Sequence, residues 1–133
     1  MDAIRKVMVV EDDGFVGALL DDALSQAGYQ VIRATTATQA CQLLDEVAPD
    51  LMLLDLGLPV MDGFHVLAQL GAHPRWRSLP IIVLTARHRL GDVERALRLG
   101  ASGYVTKPFQ VRALLARIDN RLGRTSEPTA KAS

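Results

Sequence analysis

The sequence predicts one α/β domain, a doubly wound parallel sheet of five strands in the order 2-1-3-4-5 with five helices around it. Three observations carry this. Short apolar runs alternate five times with segments of helical periodicity, so each crossover is long enough for a helix and turns right-handed. The apolar runs lack polar alternation, as strands covered on both faces do. With 133 residues, 49% apolar and 23% charged, the chain can bury one core but not two.

Taken in order, Val7 to Val10 form the first strand, which ends on Glu11, Asp12 and Asp13. Phe15, Val16, Leu19, Leu20, Ala23, Leu24 and Ala27 recur at helical spacing, with Asp13 placed to cap the helix and Gly28 to stop it. Tyr29 to Ala34 make the second strand. Ala37, Ala40, Cys41, Leu43, Leu44 and Val47 mark a second helix closed by Pro49, and Cys41 reads there as a core filler. Leu51 to Leu54 are the third strand, whose mouth carries Asp55. Gly57 and Pro59 break the chain into a loop, and Asp62 with Gly63 caps a third helix built on Phe64, Val66, Leu67 and Leu70. Ile81 to Leu84 are the fourth strand, with Thr85 at its end. Leu90, Val93, Ala96 and Leu97 mark a fourth helix stopped by Gly100. Gly103 to Thr106 are the fifth strand, Lys107-Pro108 a turn, and Val111, Leu114, Leu115, Ile118 and Leu122 the stripe of the last helix. Residues 1–122 are thus expected to be the domain and 123–133 a disordered tail or linker.

In this sheet order the switch point lies between strands 1 and 3, and ligands bind beyond the carboxyl ends of the strands. Glu11, Asp12, Asp55, Thr85 and Lys107 all fall on that edge. On its own stretch Asp55 could equally be an ordinary loop acid; the company it keeps decides otherwise. Three carboxylates crowded together repel unless a cation joins them. Mg²⁺ suits such a group, because it takes oxygen ligands and keeps coordination sites for water and phosphate. A hydroxyl and an ammonium, Thr85 and Lys107, can then contact the phosphoryl oxygens that the metal does not reach. The predicted chemistry is phosphoryl transfer onto a carboxylate. Asp55 is the expected nucleophile, since it lies between the metal acids and the Thr/Lys pair.

These residues resemble the receiver domain of two-component response regulators, a flavodoxin-like, chemotaxis-regulator-like fold, along residues 5 to 122. The resemblance rests on Val9-Val-Glu-Asp12, Asp55-Leu-Gly-Leu-Pro59 with Met61-Asp-Gly63, Leu84-Thr-Ala86 and Gly103-Tyr-Val-Thr-Lys107-Pro-Phe109. It implies that a sensor histidine kinase or phosphotransfer protein phosphorylates Asp55, that Glu11, Asp12, Asp55 and the carbonyl of Gly57 hold Mg²⁺, and that Thr85 and Lys107 contact the phosphoryl group. It also implies a switch, in which Thr85 moves toward the phosphoryl group and Tyr104 turns inward, and a cis bond before Pro108. Such a domain catalyses only its own phosphorylation and dephosphorylation. Asp13 matches no metal position and is expected only to cap.

Other classes fare worse. His65, His73 and His88 are scattered, and no glycine-rich nucleotide loop follows any strand. A phosphatase with an aspartyl nucleophile usually has a second acid two residues on, where this chain has Gly57. An inactive receiver-like module used only for protein binding is the alternative that the intact acids argue against. No apolar run approaches a membrane span and the N-terminus lacks a signal-peptide core, so a cytoplasmic protein is expected. The net charge of zero hides 3 basic and 11 acidic residues in 1–62 against 12 and 4 in 63–133, or −8 against +8. Arg117, Arg121 and Arg124 are expected on one flank of the last helix, while Gly103 and Ala113 stand where the family's DNA-binding branch carries acids for dimer pairing. The expectation is a monomer that meets a downstream protein target through a basic helix 4, strand 5 and helix 5 face, without itself binding nucleic acid.

Overall fold

The computed structural model describes residues 3–124. The strands are β1 (Lys6–Val10), β2 (Gln30–Ala34), β3 (Leu51–Leu54), β4 (Ile81–Thr85) and β5 (Gly103–Thr106), and the helices are α1 (Gly14–Gln26), α2 (Ala37–Val47), α3 (Gly63–Ala72), α4 (Leu90–Arg98) and α5 (Val111–Arg121). The strands pair in parallel in the order β2-β1-β3-β4-β5, as the alternation predicts. Side chains alternate across the sheet, so its two faces are read off β1, β3 and β4 two residues at a time. Met8, Val10, Met52, Leu54, Ile81 and Val83 pack with α2, α3 and Ala96 of α4. Val7, Val9, Leu51, Leu53, Ile82 and Leu84 pack with α1 and α5. Both faces are thereby dry, which explains why the strands read as unbroken apolar runs.

The caps are local chemistry and fall where the sequence puts them. Asp13 accepts from the Phe15 and Val16 N–H groups, and Asp62 accepts from those of Phe64 and His65. Gly28 at φ +95° and Gly100 at φ +109° end α1 and α4 in the left-handed region.

Four side chains depart from expectation. Phe15 is 80% exposed, because α1 turns Gly17, Leu20 and Leu24 to the sheet and leaves the Phe15 side outside the contact. Leu90 and Leu97 are likewise exposed, and Ala96 alone of α4 is buried. Cys41 is only half-buried, on the seam between α2 and α3, with its Sγ 3.5 Å from Gln69 Oε1, whereas Ala37, Ala40 and Leu44 hold the core positions. Arg124 is the fifth correction. It lies beyond the end of α5, donates to the Ala27 carbonyl at 2.9 Å and stacks 4.4 Å from the Tyr29 ring centroid. It is therefore spent on internal packing and leaves the basic flank. The remainder of the tail, residues 125–133, lies outside the described residues.

Beneath Arg124 the Tyr29 hydroxyl donates to the carboxylate of Asp119, which is buried within α5. Burial, together with that carboxylate, pushes the Tyr29 phenol up to about 12. A phenol raised in the folded state lends stability that is whole below its ordinary value of 10.0 and is lost as pH climbs through the folded value. We expect denaturant unfolding to show stability falling from pH 10 toward about 12, and Tyr29→Phe to flatten that limb. An unchanged limb in Tyr29→Phe would show that other groups govern alkaline unfolding.

Candidate functional site

Parallel strands deliver their last residues to one edge, so β1, β3, β4 and β5 bring distant side chains together. Glu11 follows β1 with its N–H bonded to the Ala34 carbonyl at 3.0 Å, and Asp55 follows β3 with its N–H bonded to the Val10 carbonyl at 3.1 Å. Both acids are buried, whereas Asp12 between β1 and α1 faces solvent. Lys107 follows β5, its N–H donating to the Thr85 carbonyl at 2.8 Å. Its Nζ lies 2.6 Å from Glu11 Oε1 and 3.2 Å from Asp55 Oδ2. The other Asp55 oxygen accepts from the Gly57 N–H at 3.0 Å. Thr85 is buried, and the peptide bond between Lys107 and Pro108 is cis.

Glu11, Asp12 and Asp55 can each offer an oxygen within 4.8 Å of the others. Two carboxylates about 4 Å apart repel by roughly 4 kcal/mol at an effective dielectric near 20, comparable to a large part of a domain's stability. Lys107 offsets this for the two buried members. Burial tends to raise the Asp55 carboxyl, but the Gly57 N–H and the Lys107 ammonium outweigh it and hold Asp55 below its ordinary value. Burial lifts Glu11 above its ordinary value despite its bond to Lys107. Lys107 is held above its own ordinary value, because its two carboxylate partners outweigh the burial that would lower it. The three acids, all oxygen donors gathered on one edge, fit a hard divalent cation, and Glu11, Asp12 and Asp55 are positioned to hold one. Asp13 stays outside this group, as expected, and serves α1.

Behind the acids the geometry continues toward α4. The Tyr104 hydroxyl donates to the Arg87 carbonyl at 2.8 Å, and the Arg87 N–H lies 3.4 Å from Thr85 Oγ1. The Arg95 guanidinium sits 4.1 Å from the centroid of Phe64, the second residue of α3, with Arg87 at 5.7 Å. Arg117 and Arg121 are exposed and form no ion pair among the described residues. The Phe64 stack was not legible from spacing, nor was the fit of Gly63, where a Cβ would stand 2.5 Å from the Asp55 carbonyl oxygen. The only available signal was the Asp62-Gly63 pair, which reads equally well as a simple cap.

Residues 7–119 match the family model of the response regulator receiver domain. The transcriptional regulatory protein PhoP of Escherichia coli O157:H7 is 40% identical over 125 residues, which cover 91% of this chain and 53% of PhoP. The chain spans about half the length of the curated relatives it matches. Among solved structures, a CheY-like response regulator receiver domain protein of Methanospirillum hungatei superimposes with a TM-score of 0.85 at 28% identity, over 91% of this chain and 95% of that one. The receiver domain of the sensor histidine kinase PA1611 of Pseudomonas aeruginosa, solved with a magnesium ion coordinated in its active-site cleft, gives a TM-score of 0.83 at 30% identity, over 91% and 99%.

A cation that binds the folded acids stabilises the fold by mass action. Mg²⁺ at 100 times its Kd should add about 2.7 kcal/mol, read as a rise in Tm that chelation reverses. Asp12→Asn should remove most of that rise while raising the metal-free Tm, since it takes away one of three mutually repelling charges, the one outside the Lys107 pair. Because metal ligands bind deprotonated and Glu11 is raised from 4.5, the Mg²⁺ effect should begin to fade above pH 4.5 as the solution is acidified. A Tm indifferent to Mg²⁺ at neutral pH would remove the metal from this site.

Proposed function

The chain belongs to the response regulator receiver domain family, and from that premise we propose that Asp55 is its phosphoacceptor, charged by a sensor histidine kinase or phosphotransfer protein in the presence of Mg²⁺. The observation that carries this is the pairing of Lys107 with both Glu11 and Asp55, which gathers nucleophile, metal acids and cation on one edge of the sheet. In the reaction an Asp55 oxygen forms a bond to phosphorus, the phosphorus–nitrogen bond of the phosphohistidine breaks, and the released imidazole takes up a proton. Mg²⁺, when bound by Glu11, Asp12, Asp55 and the Gly57 carbonyl, neutralises charge on the transferring phosphoryl oxygens. Lys107 exchanges its carboxylate contact for a phosphoryl oxygen, and Thr85 donates its hydroxyl to another. The same residues govern hydrolysis of the aspartyl phosphate, and the domain performs no other catalysis.

The response follows from the contacts behind the site. When Thr85 moves toward the phosphoryl group it draws on the segment whose Arg87 carbonyl receives the Tyr104 hydroxyl. Tyr104 then turns inward, and the surface of α4, β5 and α5 changes between two packings. We read residues 1–122 as this receiver unit and 123–133 as a tail or linker, in a cytoplasmic setting. No helix among the described residues is long and apolar enough to cross a membrane.

Intact-mass measurement after acetyl phosphate and Mg²⁺ tests the phosphoacceptor. One phosphoryl group is expected on the wild type, none on Asp55→Asn, and Lys107→Ala should retain Mg²⁺ binding while losing the conformational response. A phosphoryl group that persists in Asp55→Asn places the nucleophile elsewhere. No uptake at all would favour a receiver fold used solely for protein binding.

The partner face rests on Arg117 and Arg121, now without Arg124. Gly103 supplies no carboxylate beside Arg117, whose Nη1 lies 3.4 Å from where a Gly103 Cβ would stand. We expect the beryllofluoride-bound protein to remain monomeric at micromolar concentration and its target binding to weaken with salt. A twofold dimer formed only in the activated state, seen by light scattering, would contradict this.

A further inference from the structure

We propose that Gly63 is a positioning residue for the phosphoacceptor: the absence of a side chain there lets the first turn of α3 press on the backbone of Asp55 and Leu56, and this contact fixes where the Asp55 carboxylate and the Gly57 carbonyl point. The inference rests on the reading of Asp55 as phosphoacceptor and adds to it a residue that touches neither metal nor phosphoryl group.

A Cβ on Gly63 would stand 2.5 Å from the Asp55 carbonyl oxygen, 2.7 Å from Leu56 Cα and 3.1 Å from the Asp55 carbonyl carbon. All three are backbone atoms, so no rotamer change relieves the clash. Gly63 is not among the residues of positive φ, and its requirement is therefore for space rather than for conformation. The alternative, that any helix start favours glycine, fails on Gly14, the first residue of α1, where a Cβ meets nothing within 4 Å.

Neither side of this contact can retreat easily. On the helix side, the Gly63 N–H donates to the Leu56 carbonyl at 3.0 Å, Asp62 caps the turn, and buried Phe64 lies under Arg95. On the strand side, the Asp55 N–H is bonded to Val10 and its Oδ1 to the Gly57 N–H. A methyl group at position 63 must therefore displace the segment from Asp55 to Gly57, which carries the nucleophile and one proposed metal ligand at its two ends. Supporting contacts of this kind typically change metal affinity by about 10–100-fold when lost.

The test compares wild type, Gly63→Ala and Gly71→Ala, using Mg²⁺ titration followed by amide NMR and phosphoryl uptake followed by intact mass. Gly71 lies near the end of the same helix, where a Cβ would meet the Leu99 carbonyl oxygen at 3.2 Å. Gly63→Ala should keep a folded spectrum, bind Mg²⁺ about 10–100-fold more weakly and stay slow in phosphoryl uptake at saturating Mg²⁺. Gly71→Ala, which strains α3 away from the site, should match wild type in both. Wild-type Mg²⁺ affinity in folded Gly63→Ala overturns the proposal. Should Gly63→Ala fail to fold, Asp62→Ala decides, because it loosens the same turn: a few-fold weaker Mg²⁺ binding supports the assignment and an unaltered affinity overturns it. If wild type itself takes up no phosphoryl group, the phosphoacceptor reading fails, while the Mg²⁺ affinities still judge Gly63.

Discussion

The mutual repulsion of Glu11, Asp12 and Asp55 is the constraint around which the domain is arranged. A parallel sheet sends every strand's carboxyl end to the same edge, so acids that follow β1 and β3 are forced together whatever their separation in sequence. Their proximity is tolerable only with a cation between them, and in the fold described here that cation is internal. Lys107 reaches it from β5 because its backbone is fixed to the Thr85 carbonyl, two strands away from Glu11. Lys107 thus ties Glu11 and Asp55 together as an ion-paired cluster. A divalent ion held by the same acids would compete with this ammonium for the Glu11 carboxylate, so its affinity would reflect a difference between two cations rather than the pull of three bare acids.

The same edge is coupled to the rest of the molecule through contacts that leave little slack. Leu54 and Val83 are fully buried on the face covered by α3, and the chain must leave β3 and re-enter as α3 within nine residues. Close approach at Gly63 follows from that short connection. Phe64 then carries the contact outward, since Arg95 stacks on it from α4 while Tyr104 holds the Arg87 carbonyl from β5. Packed elements with few alternatives move between discrete arrangements rather than deforming continuously. These contacts give the proposed response at α4 and β5 a physical route from Asp55.

What was legible in the sequence is what local chemistry decides. Leu51–Leu54 and Gly103–Thr106 have the bounds their composition suggests, and Asp13 and Asp62 cap the helices they precede, because strand burial and capping depend on neighbouring residues. The five polar residues of the edge were legible because topology alone places strand ends. Phe15 was misjudged because helical periodicity defines a wide stripe, and only the angle at which α1 meets the sheet selects Leu20 and Leu24 from it. Cys41 failed for the same reason on α2. Arg124 was unreadable in principle: its partners, the Ala27 carbonyl and the Tyr29 ring, are 97 and 95 residues away, and no periodicity encodes such a contact. Gly63 was seen, but as a cap residue, since the need for empty space is visible only once Asp55 stands next to it.

The arginines of the second half show how charge that looks uniform in sequence divides by task. Arg75 pairs with Asp45 and stacks on Trp76, Arg95 and Arg87 lie over Phe64, and Arg124 closes the packing around Tyr29. Each of these planar cations is satisfied by an aromatic face or a carbonyl and contributes to architecture. Subtracting them leaves Arg77, Arg89, Arg98, Arg112, Arg117 and Arg121 as exposed charge without an ion-pair partner among the described residues. The dipolar split of −8 against +8 therefore overstates the charge free to meet a partner. The acidic half is reduced similarly, since Glu11 and Asp55 face inward to Lys107 and Asp45 pairs with Arg75. Folding thus leaves fewer charges unspent than composition suggests, and on the basic side Arg112, Arg117 and Arg121 share α5, the helix that follows the strand carrying Tyr104.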